Sequence, residues 1–360
     1  MPDRELAQRR LVAQGLVTRP YATPHDAVRA FAAMQGQDLP GVLASAALRS
    51  TGRVEDVLAA LNDGLLVRGY PMRGTIFLTA AEDLRWMTEL MAGAPLRGAG
   101  PRRRELGLDE EQFDRAGALL LEALARAPRG LSRNEALAVL DAAGLSTGGG
   151  RGYHILYTLI SRSVLCYGPW NGGDQNIVAV SSWLSEDSTL ERRFNGDEVA
   201  ATAELMRRYF TSHGPATVRD FSWWSKIPLT QCRAALPLVD GVEQVPGDEP
   251  AYVRLGLADE VTELGRAVAK PLLLPGFDEF ILGYQDRLFA MTPEQHVQLV
   301  PGNNGVFRKS IVAGGLVRGF WLAKGRLGTR TLDAAPFRPL AKTTEAAVRR
   351  RFAEYPHLPA

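Results

Sequence analysis

The sequence predicts an α+β fold in which three tandem winged helix-turn-helix units lead into a C-terminal β-barrel-like domain. One theme recurs three times: a polar or Pro/Gly lead-in, a Ser/Thr/Asp cap, an amphipathic helix, a turn and a second helix. It is found at Tyr21-Ala-Thr-Pro-His-Asp-Ala-Val, Arg129-Gly-Leu-Ser-Arg-Asn-Glu-Ala-Leu and His213-Gly-Pro-Ala-Thr-Val-Arg-Asp-Phe. β-prone sequence follows each pair of helices, as a two-stranded wing would. From about Lys270 the texture changes to short apolar stretches divided by Gly and Asn turns. The expected divisions are residues 1–127, 128–195, 196–265 and 266–360.

In the first unit Thr23 is placed to cap a helix, with Pro24 at the first helical position, where a missing N–H costs nothing. Asp26 suits the positive helix end, and the helix should run to about Met34. Pro71-Met-Arg-Gly-Thr-Ile-Phe-Leu supplies the first β-prone stretch. In the second unit Ser132 and Glu135 spell a capping box that launches Ala136-Leu-Ala-Val-Leu, and Gly144 ends the helix. Val164-Leu-Cys-Tyr and Gln175-Asn-Ile-Val-Ala-Val follow. In the third, Thr217 and Asp220 open a helix carrying Phe221, Trp223 and Trp224. Pro228 stops it before a second helix near Thr230 to Leu236, and Ala251-Tyr-Val-Arg-Leu is β-prone. In the last part Pro271-Leu-Leu-Leu, Phe307-Arg-Lys-Ser-Ile-Val and Leu316-Val-Arg-Gly-Phe-Trp are read as strands. Gly302-Asn-Asn-Gly and Ala313-Gly-Gly-Leu are read as hairpin turns.

A chain of 360 residues exceeds one ordinary core. Its 42 Lys and Arg against 40 Asp and Glu leave a net charge of +2, so any affinity for a polyanion must come from local charge. Lysine occurs only at Lys226, Lys270, Lys309, Lys324 and Lys342. The abundance of Ala, Gly and Arg beside so few lysines fits a GC-rich bacterial genome. Cys166 and Cys232 have neither zinc-ligand nor disulfide-framework spacing, and reduced cytosolic thiols are expected. The histidines His25, His154, His213, His296 and His357 show no metal-ligand spacing, so no metal and no cofactor is expected. The charged N-terminus has no apolar h-region and no run is long enough to span a membrane, so a cytoplasmic protein is expected.

The stretch Phe31-Ala-Ala-Met-Gln-Gly-Gln-Asp-Leu-Pro-Gly carries the most information about chemistry. Gly36 and Pro40 should terminate the helix and leave Gln35 to Asp38 partly extended, where residues two apart point the same way. Gln35 and Gln37 would then present two amides to one place. Such a pair is a poor acid or base but a capable positioner, since each carbonyl accepts and each NH2 donates twice. From spacing alone, two solvated glutamines at a polar helix end account for it better.

Met34-Gln-Gly-Gln-Asp resembles the Gln-x-Gln motif of the AlkZ DNA glycosylases, a winged-helix (HTH_42) family. The resemblance extends through Met72-Arg-Gly-Thr-Ile-Phe-Leu, Ala80-Ala-Glu-Asp-Leu-Arg-Trp, Gly214-Pro-Ala-Thr, Leu274-Pro-Gly-Phe-Asp-Glu-Phe-Ile-Leu-Gly-Tyr-Gln-Asp-Arg and Asn304-Gly-Val-Phe-Arg. It implies three tandem winged helices and a C-terminal β-domain around a C-shaped channel for double-stranded DNA. It also implies hydrolysis of the N-glycosidic bond of N7-alkylated purines, among them bulky natural-product adducts and, in some members, interstrand crosslinks. Base-excision repair and self-resistance to a genotoxin would be the roles.

In that chemistry Gln37 is expected to orient the water and Gln35 to support the water or the sugar, with Asp38 as a candidate base. No lysine lies within the first unit, so a Schiff-base step is not expected and the enzyme should be monofunctional. A monomer is expected because one chain builds the channel. Two positions depart from the family pattern. Gly36 replaces the usual apolar middle residue, and Phe77 stands where many members carry a His; both bear on substrate range.

Candidate DNA contacts are Arg73, the Arg102-Arg103-Arg104 run, Arg133, Arg151, Lys226, Arg308 and Lys309. The last two form a basic hairpin tip suited to a groove. For each one singly, a solvated surface charge is the commoner outcome. Gly148-Gly-Gly-Arg-Gly lacks the strand and lysine of a phosphate loop and is read as a wing or linker. Asp278, Glu279, Asp286 and Arg287 read as a structural salt-bridge network, with Asp278 and Tyr284 alternatively lining the channel. Competing functions are a non-catalytic winged-helix DNA-binding regulator and a drug-sequestering resistance protein, since such a fold alone proves only binding.

Overall fold

Several helix starts in this chain are set by side chains that satisfy N–H groups the helix itself cannot. Thr23, Ser132 and Thr217 each accept from the backbone N–H three residues on, and Asp26, Glu135 and Asp220 reach back in return. These capping boxes launch the helices Pro24–Phe31, Arg133–Ala142 and Val218–Ser225, as expected at all three places.

The structure, a computed structural model, describes residues 1–247, 249–303, 305–326 and 329–358. Its chain divides into two units, Met1–Val57 with Thr202–Ala360, and Leu58–Ala201. In the Leu58–Ala201 unit the strands Leu66–Met72 and Thr75–Ala80 form a hairpin with Met72 opposite Thr75. Arg73 and Gly74, at φ 60° and 66°, make the two-residue turn. Positive φ at both central residues matches the twist of the flanking strands, which is why such turns favour hairpins. A second hairpin pairs Leu165–Trp170 with Gln175–Ala179 and joins the first where Arg68 faces Tyr167. Helices Glu110–Ala125, Arg133–Ala142 and Arg151–Ser161 pack on it through Phe113, Leu120, Leu140, Ile155 and Leu159. Of the run Gly148-Gly-Gly-Arg-Gly, residues 148–150 lie between the last two helices and Arg151 and Gly152 open the second, with Gly150 at φ 93° as its N-cap.

In the other unit, helices Glu198–His213, Val218–Ser225 and Leu229–Ala235 accompany a three-stranded sheet. Ala216–Thr217 pairs with Ala251–Arg254, which pairs with Val242–Val245. The C-terminal part corrects an expectation. It is an open four-stranded antiparallel sheet, not a closed barrel, with Leu272–Leu274 and Thr331–Pro336 at its two edges. Closure is replaced by the helix Lys342–Ala353, unforeseen in the sequence, whose Val348 and Phe352 pack with Leu273, Ile311 and Trp321. Ala313-Gly-Gly-Leu is the hairpin turn expected. The segment before Gly302-Asn-Asn-Gly is a helix, Pro293–Leu299, opened by a Thr292 capping box with Pro293. Asn304 of that motif lies outside the described residues. Among the described residues no helix is long and apolar enough to cross a membrane.

Candidate active site

The helix Pro24–Phe31 ends earlier than expected, because Ala32 takes φ 63° and turns the chain into the short strand Ala33–Gln35. Pro40 does not terminate a helix; it lies in the first turn of the next one, Leu39–Arg49. Gln35 to Asp38 is therefore the bend between two helices. The Gln35 side chain is buried and Gln37 is exposed. The Gln37 backbone N–H donates to Gln35 Oε1 at 2.8 Å, and Gln35 Nε2 donates to Gln37 Oε1 at 3.2 Å. Because a backbone N–H can only donate, it fixes which end of the Gln35 amide is oxygen. The two amides converge.

Beneath Gln35 lies a carboxylate that the sequence had not tied to it. The Gln35 backbone N–H donates to Glu279 Oε1 at 2.9 Å. Glu279 Oε2 accepts from Trp224 Nε1 at 3.2 Å and faces His213 Nε2 at 3.4 Å. His213 is fully buried, stacks on Tyr209 at 4.5 Å and meets the Ser212 hydroxyl through Nδ1 at 2.8 Å. Burial pushes its pKa down, outweighing the opposing pull of Glu279. The ring is thus held neutral and donates one N–H.

Next to it, Asp278 takes both arms of the Arg49 guanidinium, at 2.8 and 2.9 Å, and the Ser45 hydroxyl at 2.5 Å. Burial alone would raise the Asp278 pKa, but the Arg49 charge and these hydrogen bonds hold it below the usual value. Arg49 also donates to Gln14, Gln14 to the Tyr284 hydroxyl, and that hydroxyl to the His213 carbonyl. Asp278 and Tyr284 are buried in this network, so the structural reading of Asp278 holds and neither lines a surface. Gly276 lets this loop pass close, since a Cβ there would stand 2.6 Å from the Phe307 carbonyl oxygen.

The profile of the family described as DNA glycosylase AlkZ-like matches residues 28–357. The chain belongs to the AlkZ-like DNA glycosylase family. A relative in Streptomyces sahachiroi named "Interstrand DNA cross-link repair glycosylase" is 26% identical over 329 residues, 87% of this chain and 85% of the relative. The solved structure of Streptomyces sahachiroi DNA glycosylase AlkZ has the same fold, at a TM-score of 0.75 and 23% identity, over 99% of this chain and 96% of that one.

In this AlkZ-like chain the basic residues singled out in sequence differ in what they meet. Arg73 sits in the two-residue hairpin turn. Arg102 is exposed and pairs with Glu105 at 2.9 Å. Arg103 folds inward, donating to the Leu96 carbonyl at 2.6 Å and lying over the Phe113 ring. Arg104 is exposed, and Arg133 is exposed at the head of its helix. Arg151 is tied to the carbonyls of Ser146 and Leu106. Lys226 lies over Trp223. Arg308 and Lys309 do not form a hairpin tip. Arg308 lies over Phe320 and the half-buried Lys309 over Trp321. Burial lowers the Lys309 pKa, and the Asp38 charge opposes that shift.

Glu279 and His213 are the residues that sequence reasoning left out of the site. Both stood in stretches already singled out, but nothing local connects them to Gln35, which lies 244 residues from Glu279.

Proposed function

We propose that this protein hydrolyses the N-glycosidic bond of N7-alkylated purines in double-stranded DNA and leaves an abasic site. The observation that carries the proposal is the convergence of the Gln35 and Gln37 side-chain amides, with the Gln35 backbone held by buried Glu279 and Gln37 exposed. An N7-alkylated purine already bears positive charge, so its departure with the bond electrons yields a neutral base and needs little acid assistance. The remaining barrier is to stabilise the oxocarbenium-like sugar and to place water against C1′.

Gln37 keeps both amide hydrogens and one carbonyl lone pair for a water and for the sugar. Gln35 orients Gln37 by donating to its oxygen. As the water oxygen bonds to C1′ it loses one proton to solvent, with Asp38 the adjacent carboxylate able to receive it. Absence of lysine from residues 1–127 supports a monofunctional hydrolase. The name of the S. sahachiroi relative supports interstrand crosslinks as further substrates, and self-resistance to a genotoxin belongs to the same proposal.

The same reading takes 1–127, 128–195 and 196–265 as winged-helix units and 266–360 as the C-terminal domain. Support comes from the order helix, strand, helix, helix, strand, strand between Glu198 and Arg254. Arg73 and Arg133 are its best-placed phosphate contacts. The protein acts as a cytoplasmic monomer without cofactor. The test is release of free base from duplexes carrying N7-methylguanine or a bulky N7 adduct. Gln37→Ala is expected to lose about 10²–10³-fold in the single-turnover rate while binding duplex as before. If the unaltered protein releases neither base, the proposal fails.

A further inference from the structure

Away from the glutamine pair, a cleft of about 460 Å³ is lined by Arg4, Arg318 and Arg338, with Gln8, Gln295 and Thr344 among its other polar residues. Among the described residues no Asp or Glu lines it. Among the described residues none of the three arginines makes an ion pair. Arg318 is half-buried, and its pKa is lowered by burial first and by the Arg4 cation second. Like charges gathered in a concave, partly dry place repel one another and cost free energy unless an anion fills the space.

The helix Lys342–Ala353 also opens here, for its N-cap Ala341 and Thr344 both line the cleft, and Ala341 supplies no capping side chain. Uncapped N–H groups at that end add to the positive field already set by the arginines. Arginine forks match a phosphate bidentately, and amide NH2 groups can take the remaining oxygen.

We propose that the Arg4–Arg318–Arg338 cleft is a phosphate-binding site that holds one backbone phosphate of the DNA. The cleft is built by residues outside the glutamine pair, and its assignment to DNA rests on the glycosylase reading above. A free phosphate ion offers the same chemistry, so the experiment has two arms. In the first, duplex binding of the full chain and of the double variant Arg318→Gln with Arg338→Gln is followed against salt. The slope of log affinity on log salt should fall by about one in the variant, as it does when one backbone phosphate is no longer neutralised. In the second, inorganic phosphate should raise the melting temperature of the unaltered protein and not that of the variant.

An unchanged salt slope overturns the assignment to DNA, whether or not the phosphate effect disappears. A phosphate effect that survives in the variant overturns the site itself. Arg4→Gln, on a different element, guards against a merely local disturbance and should lower the slope in the same direction. Excision from an N7-methylguanine duplex by the unaltered protein is measured in parallel: its absence would count against the glycosylase reading and not against the phosphate site, whereas an unchanged salt slope counts against the site alone.

Discussion

Beneath Gln35 the buried charges are answered in place: Asp278 by Arg49, and Glu279 by the N–H groups of Gln35 and Trp224, with His213 Nε2 facing it. In the cleft at Arg4, three cations share one space with no carboxylate in its lining. Compensated charge holds a structure in one arrangement, whereas uncompensated charge of one sign stores a preference for an absent partner. Two adjacent residues show the same contrast at finer scale. Asp278 pairs with a cation and ties the loop to the helix after Gln37. Glu279 is held by hydrogen bonds from the Gln35 N–H and Trp224 Nε1 rather than by a cation.

The largest effect should come from breaking the compensated pair. Arg49→Met leaves Asp278 buried and uncompensated, and unfolding in urea should show a loss of about 3–5 kcal/mol. A loss below about 1 kcal/mol would mean that Asp278 finds another partner and that the two regions differ less than their charges imply. Next is Glu279→Ala, which removes the anchor of the Gln35 backbone. A displacement of about 1 Å at a reacting group can cost about 10²-fold, so excision should slow by that order while duplex affinity holds. Glu279→Gln keeps an oxygen for the Gln35 N–H and should recover part of the rate. Equal losses in rate and in stability for both variants would reduce Glu279 to a core residue.

Much of this arrangement was legible because it is written locally. A capping box spans four residues, and Thr23, Ser132 and Thr217 each announced a helix correctly. The Gln35–Gln37 convergence followed from a helix ending just before them. The sequence placed that ending too late because Ala32 adopts a left-handed turn without the glycine that usually marks one. Glu279 and Arg49 were illegible as partners of this site because their contacts join distant segments. The helix Lys342–Ala353 was missed because it lacks a side-chain cap and follows sequence read as strands. Without that helix a barrel was the natural way to cover the sheet.

A smaller effect concerns pH. His213 is depressed in the folded state by burial, with Glu279 opposing and the charges of Arg49 and Arg10 adding to the depression. The unfolded chain therefore binds a proton near pH 6.5 that the folded chain refuses. Stability from this group is full above pH 6.5 and declines as pH falls below it, by at most about 1.4 kcal/mol per pH unit, until the folded ring protonates. Urea unfolding between pH 7.5 and 5.5 should show the decline, and His213→Gln should flatten it. An identical slope in the variant would assign the pH dependence elsewhere.

The smallest effect is expected where charge is compensated but exposed. Arg102 and Glu105 leave more than half of each side chain in water, at 58% and 63%. Water screens such a pair, and ordering two long side chains offsets most of its attraction, so Arg102→Ala should shift stability by about 0.5 kcal/mol or less. The same screening bears on DNA. Arg102 must release Glu105 before it meets a phosphate, whereas Arg318 makes no ion pair among the described residues. The salt slope of duplex binding should consequently fall less for Arg102→Ala than for Arg318→Gln, and the reverse order would show that pairing in the free protein does not decide which arginines meet the backbone.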